Sequence, residues 1–550
     1  MKKIFPLAMS VVFVFSGLIA AGALDADAVG RNDWESEVFY QIFPIAFADG
    51  NGDNTGDFIG MKKAIPYLTN LGVTALWINP VFESVTYHGY PHADIWNIRS
   101  DFGGNAAFFD FVREAHRAGL KVLIDLEIKS LGDGPVVEAI LSNGNASNIL
   151  VGTKPVAVWK DYTGRTVNMY GVSRSRNAVD LMERMGEYWM APGGDPTAGV
   201  DGYRIDSLRV TNTWAILGPL EDDGFYRHFG ERIRKIKPSA FLLAEQGAWD
   251  TGRDLYASQG IDSAFSFPLF VQGRKAFLNG DAEALRKSVR SCYNAEPSGK
   301  FHNIIIENHD EMPRSAEVFK GKPMVEKAAA ALLLSLRGIP NLYYGQEIGM
   351  KGNPDHKIDP INKTSDANNF PIREPMKWYS KRFQKEHEIP FGAGSLSLPG
   401  YANYIRMTNY WSSTYSSSRD NDGISVEEQI NDPDSLLGTY RRLISLRKNH
   451  PALSKGYLTW VNAGTNVISY MRDWQSGNDR ERVLVLVNLA DSPRSVPLDL
   501  RRTFPGDTDY SVSNLIDGAQ LPAMKTNDIG KYKVELGAYE YAFLLIQPGK

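Results

Sequence analysis

The sequence contains almost no cysteine: Cys292 is the only one in 550 residues. A single cysteine cannot form an intramolecular disulfide, which excludes a fold held together by cross-links. The sequence also lacks an excess of one charge, because 60 Lys and Arg residues against 64 Asp and Glu residues leave a formal net charge of −4. A chain so close to neutral is not expected to bind nucleic acid.

Long apolar runs are rare as well, and the one that stands out is N-terminal. Two lysines precede an apolar stretch over residues 4–23, and small residues continue to Ala28. This arrangement is typical of a secretory signal peptide, so we predict one over residues 1–23, with cleavage after Ala23 or as late as Ala28. An uncleaved membrane anchor is the alternative, because the stretch approaches the ~20 residues that span a bilayer. The first interpretation implies a secreted or periplasmic protein with no stable membrane association.

The sequence as a whole has the composition of an ordinary globular protein, with 43% hydrophobic and 23% charged residues. Its short apolar runs alternate with amphipathic helical patterns, which is typical of buried parallel strands joined by crossover helices. This repeat predicts an α/β fold, a (β/α)8 TIM barrel. The eight expected strands lie at residues 38–43, 75–79, 122–125, 202–206, 241–245, 263–267, 304–310 and 342–344.

Two long interruptions and a change of pattern divide the chain further. A Gly-, Asn- and Ser-rich stretch after the third strand is too long for a simple connection and predicts a small inserted domain. Near the C-terminus the pattern changes to alternating strands separated by turn residues, which predicts an antiparallel β-sandwich. We therefore expect a barrel over residues 31–126 and 179–454, an inserted domain over 127–178, a lid over 346–425, a closing helix over 433–448 capped by Asp432, and a β-sandwich over 455–550.

Three of the predicted strands end in a residue with a carboxylate side chain: Asp206, Glu245 and Asp310. In TIM barrels the C-terminal ends of the strands carry the chemistry. Residues two apart on a strand face the same side, so Arg204 lies beside Asp206 and should keep it ionised, as a nucleophile requires. The apolar strand before Glu245 should raise the pKa of its carboxyl group towards that of a general acid. Such a set matches glycoside hydrolysis with retention, and helix caps or structural ion pairs are the alternative.

The segments around these carboxylates resemble those of the α-amylase family, glycoside hydrolase family 13, and the similarity runs from about Val38 to the C-terminus. The stretches 344–350 and 373–378 look like those of the amylase and oligo-glucosidase branches. This resemblance implies that Asp206 is the nucleophile and Glu245 the acid/base. It implies that Asp310 binds sugar hydroxyls and stabilises the transition state.

The same resemblance implies a set of substrate contacts. Arg204 would be the partner of the nucleophile, and His309 the sugar-binding histidine of the motif at 308–310. In the segment 87–90 the second tyrosine, Tyr90, would stack under the sugar in the cleaved subsite. Without Cys or further His nearby, His88 and His92 are poor zinc candidates. The other residues expected to line the sugar site are His88, Asp94, Ser130, Arg209 and Arg373.

The first motif of the family is divergent in this chain. Where the family has Asp, three residues, Asn and His, the segment 125–130 ends in Lys129 and Ser130. An ammonium group repels Ca²⁺, so we expect the calcium site that uses this Asn to be absent and Lys129 to replace the charge of the ion. A serine can still hydrogen-bond a sugar. After the nucleophile, Arg209 and Val210 replace the usual Lys and His, which removes one sugar contact.

A different calcium site is predicted at residues 49–57. Oxygen-bearing side chains stand at alternate positions of this Gly-rich loop, as they do in helix-loop-helix calcium loops. The loop also resembles the calcium loop of the oligo-glucosidase-like branch. The expected Ca²⁺ ligands are Asp49, Asn51, Asp53, Thr55 and Asp57. A polar turn without a metal is the alternative.

Taken together, these features predict an exported retaining glycosidase that acts on α-1,4-linked glucans or maltooligosaccharides. One alternative is a 4-α-glucanotransferase or another α-glucosidase-type specificity, because the chemistry is shared up to the glycosyl-enzyme. Another is a catalytically weak sugar-binding homologue, which the changes at Lys129, Ser130 and Val210 would suggest. We expect a monomer whose cofactor is Ca²⁺ and whose partner is the α-glucan or oligosaccharide substrate.

Overall fold

A computed structural model describes residues 33–144, 148–161, 164–208, 224–247, 249–352, 365–381, 386–392, 394–398, 419–504 and 508–549. The predicted signal peptide, residues 1–23, lies outside the described residues, as do Arg209, Val210 and much of the predicted lid.

Eight parallel strands form the centre of the fold. They are β1 (Phe39–Ile42), β2 (Ala75–Ile78), β3 (Lys121–Leu126), β4 (Gly202–Leu208), β5 (Phe241–Gln246), β6 (Ser263–Ala264), β7 (Asn303–Ile304) and β8 (Ile339–Tyr343). Strands β1 to β6 pair in chain order, β7 pairs with β8, β8 pairs with β1, and a parallel bridge between Phe265 and Asn303 joins the ends β6 and β7. The sheet therefore closes into the predicted (β/α)8 barrel.

Helices cover the outside of this barrel, and apolar side chains fill its interior. Among the described residues no helix is long and apolar enough to cross a membrane. Inside the barrel, Phe39, Trp77, Leu123 and Leu243 belong to one buried cluster. The helices are Pro44–Phe47, Phe58–Lys63, Ile65–Leu71, Gly104–Arg117, Pro135–Ser142, Arg176–Met190, Phe225–Ile236, Arg253–Gln259, Phe267–Asn279, Ala282–Ala295, Ser315–Val318, Pro323–Ser335, Val426–Gln429, Leu436–Asn449 and Pro451–Lys455.

Strand β4 shows how alternation separates packing from chemistry. Tyr203 and Ile205 are fully buried on its outer side, and the Tyr203 hydroxyl donates to the Gly186 carbonyl at 2.6 Å. The residues between them in sequence face the opposite side of the sheet. A Cβ at Gly202 would lie 2.2 Å from the Phe241 carbonyl oxygen, so glycine here permits the close pairing of β4 with β5.

Two elements differ from the sequence prediction. The expected strand over 304–310 ends at Ile304. Farther along, the Asn308 side chain accepts hydrogen bonds from the backbone N–H groups of Asp310 and Glu311 and turns the chain. Asp310 therefore lies in a turn after β7. The closing helix begins at Leu436 with Ser435 as its N-cap instead of Asp432, since the Ser435 hydroxyl accepts from the Gly438 N–H at 3.0 Å.

Shorter sheets lie in the connections between barrel strands and in the segment after β8. The hairpin Phe82–Ser84 and His92–Ile98 follows β2. Between β3 and β4, within the predicted inserted domain, Thr166–Gly171 pairs antiparallel with both Ser130–Gly132 and Ala157–Lys160. After β8, Ile389–Phe391 pairs with Gly394–Leu396. The first two sets of strands follow the C-terminal ends of β2 and β3.

The C-terminal residues form the predicted antiparallel β-sandwich. A six-stranded sheet and a two-stranded sheet enclose a separate apolar cluster that includes Met471, Leu484 and Val534. The six-stranded sheet contains, in spatial order, Tyr457–Trp460, Val467–Ser476, Asp479–Asn488, Tyr541–Pro548, Tyr510–Asn514 and Gln520–Met524, and the smaller sheet contains Arg494–Leu498 and Tyr532–Leu536.

Candidate active site

Arg204, on β4, binds three carboxylates at the C-terminal ends of adjacent strands. Its side chain is 1% exposed. Its Nη1 donates to Asp125 Oδ1 at 2.7 Å and to Asp206 Oδ1 at 2.6 Å, and its Nη2 donates to Glu245 Oε2 at 2.6 Å. The structure therefore brings the predicted Asp206 and Glu245 together around one guanidinium.

The strand register explains this convergence. Asp125 on β3 pairs with Arg204 on β4, so both side chains lie on the same face of the sheet. Asp206 follows Arg204 by two residues and shares that face. The register between β4 and β5 shifts after Ala244, at the point where Glu245 meets the end of β4. The strand register thus brings the three carboxylates close to Arg204.

Asp206 and Glu245 differ in protonation although both bind the same guanidinium. Burial alone would raise the pKa of Asp206, but the cations Arg204 and Lys129 outweigh it and hold that pKa at about 2. Burial raises the pKa of Glu245 to about 8, helped by the negative charges of Asp206 and Asp310 and opposed by Arg204. Near neutral pH, Asp206 is ionised and Glu245 carries a proton. The pair offers a nucleophile beside a proton donor.

Asp310 is held by residues that follow β8. Arg373 Nη2 donates to Asp310 Oδ1 at 2.6 Å, and Asn369 Nδ2 donates to the same oxygen at 3.2 Å. Arg373 also donates from Nε to the His309 carbonyl at 2.8 Å and from Nη1 to the Tyr87 hydroxyl at 2.6 Å. Burial would raise the pKa of Asp310, but His309 and Arg373 lower it below the usual value. Asp310 is therefore an anion that stays 30% exposed.

Tyr90 and His309 lie against Asp125. Their rings stack with centroids 5.9 Å apart, and the Tyr90 hydroxyl lies 2.5 Å from His309 Nε2 and 3.1 Å from Asp125 Oδ2. Gln41 Nε2 donates to His309 Nδ1 at 2.8 Å, so Nε2 carries the ring proton. Burial lowers the pKa of His309 to about 3, and the ring is neutral. Tyr90 stays partly exposed and can present its aromatic face to a bound molecule, whereas His309 is buried and its Nε2 also lies 3.0 Å from Asp310 Oδ2.

Two further residues with ionisable side chains, Glu127 and Lys129, are buried near Asp206. Lys129 Nζ donates to the Ser207 carbonyl at 2.6 Å and lies 3.7 Å from Glu127 Oε2. The Ser207 N–H in turn donates to Glu245 Oε2 at 3.0 Å. Sequence reasoning placed Lys129 at an abandoned calcium position and gave Glu127 no role. The sequence held one indication of a role for Glu127: it follows Asp125 by two residues, and residues two apart on a strand face the same side.

The remaining residues that were predicted to contact the sugar do not all lie near the carboxylates. The His88 ring lies 5.7 Å from that of Tyr90. Ser130 is fully buried, and its hydroxyl has no hydrogen-bond partner among the described residues. The Asp94 carboxylate accepts from the Trp96 N–H and from the Asn97 amide on its own strand, so the structure does not bring it to the carboxylates. Arg209 lies outside the described residues.

The loop 49–57 turns around its own carboxylates. Asp49 accepts from the N–H groups of Gly52 and Asn54 at 2.7 and 2.8 Å. Asp57 Oδ2 is buried without a hydrogen-bond partner in the described part of the chain, and burial raises the pKa of Asp57 to about 6. No group of three or more His, Cys, Asp or Glu side chains among the described residues is arranged as a metal site. The oxygen donors and the unsatisfied Asp57 oxygen nevertheless suit the chemistry of a hard cation.

The chain is similar to known proteins along most of its length. The family model described as "Alpha amylase, catalytic domain" matches residues 41–134 and 173–456. The "Alpha-amylase 3" of Dictyoglomus thermophilum is 26% identical, covering 83% of this chain and 85% of that protein. The "Probable oligo-1,6-glucosidase 2" of Bacillus subtilis is 25% identical, covering 83% and 90%. The crystal structure of an alpha-amylase from H. orenii has a TM-score of 0.70 at 24% identity, covering 93% and 99%.

Replacing Arg204 with methionine should make folding stability strongly dependent on pH. Without the guanidinium the pKa values of Asp125, Asp206 and Glu245 in the folded protein all rise. Below their ordinary pKa values the carboxyl groups are protonated in both states, so stability is lost as pH rises towards 8. We expect a free energy of unfolding about 3–5 kcal/mol below wild type at pH 8 and a much smaller difference at pH 5. Urea unfolding at both pH values measures it, and an equal loss at both would contradict the shared role of Arg204.

Proposed function

The chain belongs to the α-amylase family, glycoside hydrolase family 13, and we propose that it is an exported retaining enzyme that hydrolyses α-1,4-linked glucans or maltooligosaccharides. Family membership makes it a glycoside hydrolase with a carbohydrate substrate. The α-1,4 linkage and the export are our proposals. Export rests on the sequence of residues 1–23, which has the pattern of a signal peptide.

The observation that carries this proposal is the convergence of Asp206 and Glu245 on one guanidinium, with pKa values shifted in opposite directions. Retaining glycosidases need an ionised nucleophile and a protonated acid ~5 Å apart. The two carboxyl groups bind neighbouring nitrogens of Arg204, each at 2.6 Å, and this keeps them close. A pair of inverting catalysts would stand farther apart to admit a water molecule between them and the sugar.

In the proposed reaction Asp206 attacks the anomeric carbon while Glu245 transfers its proton to the glycosidic oxygen. The bond to the leaving sugar breaks and a covalent ester to Asp206 forms. Glu245, now a carboxylate, takes a proton from water as the water oxygen attacks the same carbon and releases Asp206. The protonation states of the free enzyme are those that the first step requires.

The remaining residues of the site bind the sugar. Asp310 is fixed by Arg373 and stays partly exposed, so its carboxylate can accept hydrogen bonds from sugar hydroxyls. Tyr90 offers a ring face of the kind that packs against the apolar face of a sugar. His309 is buried, and its Nε2 lies 3.0 Å from Asp310 Oδ2, so it helps to orient that carboxylate. A carboxylate acceptor beside an aromatic ring face supports a carbohydrate substrate.

A panel of substrates and an Asp206→Asn variant test the function together. We expect wild-type protein to cleave maltooligosaccharides and starch, and Asp206→Asn to lose about 10⁴-fold or more in kcat because the nucleophile is removed at constant shape. Chromatography of the products over time is the measurement, with pullulan and sucrose as further substrates. Trapping the intermediate with 5-fluoroglucosyl fluoride should label Asp206 in mass spectrometry.

The same time course separates the alternatives. Longer oligosaccharides formed from short ones would indicate a glucanotransferase, and binding without turnover would indicate a sugar-binding homologue. A label on a carboxylate other than Asp206, or near-normal turnover by Asp206→Asn, would overturn the assignment of the nucleophile.

Replacing Glu245 with glutamine should remove the alkaline limb of the pH profile. Glu245 acts in its protonated form, so wild-type kcat/KM should be high below its raised pKa and fall as pH rises through about 8. Glu245→Gln should lose about 10² to 10⁴-fold on maltooligosaccharides and much less on an activated aryl glycoside, which needs little protonation. Equal losses on both substrates would show that Glu245 is not the acid.

We also propose that the loop 49–57 binds Ca²⁺ through Asp49, Asn51, Asp53, Thr55 and Asp57. The cation would satisfy the unpartnered Asp57 oxygen and relieve the burial of its carboxylate. The ion supplies structural charge and no step of the reaction.

Removal of Ca²⁺ from the purified protein with a chelator should lower the free energy of unfolding by about 3 kcal/mol when calcium was 100-fold above its Kd. Asp53→Ala should show the same loss and no longer respond to chelator. Asp195→Ala is a matched control, because Asp195 also accepts a backbone N–H two residues on, from Thr197, in an exposed turn elsewhere. A chelator response retained by Asp53→Ala would remove the site from this loop.

A further inference from the structure

Arg204 cannot by itself decide which of two carboxyl groups is the nucleophile. Asp206 Oδ1 and Glu245 Oε2 each lie 2.6 Å from a nitrogen of the same guanidinium. The attraction of Arg204 is therefore shared between them. A difference between the two groups has to come from other neighbours.

The Lys129 ammonium is such a neighbour. Its side chain is 3% exposed, and Nζ donates to the Ser207 carbonyl at 2.6 Å. Ser207 directly follows Asp206 and has a φ of +45°, which a residue other than glycine rarely adopts and which costs free energy unless surrounding contacts hold it. In this conformation the Ser207 N–H donates to Glu245 Oε2 at 3.0 Å. The backbone of one residue, Ser207, thus connects Lys129, through its carbonyl group, with Glu245, through its N–H group.

Glu127 completes the arrangement from the other side. Its side chain is 6% exposed, its Oε1 accepts from the Lys129 N–H at 2.7 Å, and its Oε2 lies 3.7 Å from Lys129 Nζ. Glu127 therefore holds both the backbone and the ammonium group of Lys129.

We propose that Lys129 and Glu127 are positioning residues of the glycosidase reaction: Lys129 holds the Ser207 backbone so that its N–H group stays on Glu245 beside Asp206, and Glu127 holds Lys129 in place. The inference rests on the proposed function. It assigns a role to Glu127 and Lys129, the two residues with ionisable side chains that follow Asp125 in the segment 125–130. Neither side chain needs to touch the substrate, since both are buried.

Lys129→Met tests the peptide contact, because it removes the ammonium and keeps the length of the side chain. We expect kcat on maltoheptaose to fall about 100-fold, with KM within about threefold of wild type. The loss on 4-nitrophenyl α-maltoside should be about tenfold smaller, because this substrate depends less on the acid that the Ser207 N–H holds.

Lys237→Met is the matched control. Lys237 Nζ binds the carbonyls of Gly199 and Val200 at 3.0 and 2.8 Å, before the opposite end of β4, and its side chain is 13% exposed. This variant should lower the melting temperature and leave the ratio of the two activities as in wild type. If Lys129→Met behaves in the same way, with lower stability and an unchanged ratio, the positioning role is wrong.

Glu127 provides a second test should Lys129→Met fail to fold. In Glu127→Gln the amide oxygen can still accept from the Lys129 N–H, so kcat should stay within about threefold of wild type. Glu127→Leu cannot accept this bond and should lose about 100-fold. Equal losses in the two variants would overturn this role of Glu127, because the retained hydrogen bond would then make no difference.

Crystal structures separate this inference from the proposed function. Wild-type protein without sugar should show Ser207 at positive φ with its N–H on Glu245, and Lys129→Met should show this peptide rotated and the bond to Glu245 lost. An unchanged Ser207 peptide would overturn the inference whichever sugar the enzyme uses. Lack of turnover by the wild-type protein would reject the proposed function and leave this structural result intact.

Discussion

The contact on which the site depends is that of Arg204 with Asp125, Asp206 and Glu245. A guanidinium that is 1% exposed must be paired with carboxylates to be tolerated in a protein interior. Because its nitrogens lie in one plane, the three carboxyl groups are held in a fixed relation to one another. The parallel strands supply this geometry from their backbone register, so the most demanding part of the site rests on the most rigid part of the fold.

Charge balance then decides protonation within the site. The carboxyl groups of Asp125, Glu127, Asp206, Glu245 and Asp310 surround the cations Arg204, Lys129 and Arg373. A buried carboxyl group keeps its proton when burial and neighbouring negative charges outweigh the attraction of nearby cations. Asp206 has two cations nearby and is ionised, whereas Glu127 and Glu245 have raised pKa values. The same excess of carboxyl groups over cations thus yields a nucleophile and a proton donor side by side.

The segments between strands add what the barrel does not supply. Tyr90 comes from the connection after β2, and Arg373 and Asn369 come from the excursion after β8. Their contacts to Asp125 and Asp310 complete the site from outside the sheet. The family model matches the barrel but not residues 135–172, which include two of the three strands between β3 and β4. This unmatched segment therefore begins shortly after Lys129, beyond the end of β3.

The sequence by itself determined the barrel, the β-sandwich and the meeting of Asp206 with Glu245. Each of these follows from local periodicity, because alternation along a strand fixes which side chains face the barrel mouth. Asp310 was expected at a strand end and lies in a turn, since the Asn308 side chain binds the backbone that a strand would need. Only the tertiary structure decided the partners of Lys129 and Arg373. Lys129 meets a carbonyl 78 residues away and Arg373 a carboxylate 63 residues away, and contacts between such distant segments leave no trace in a local pattern. For the same reason the sequence analysis gave Glu127 no role, although its carboxyl group is buried against Lys129 in the active site.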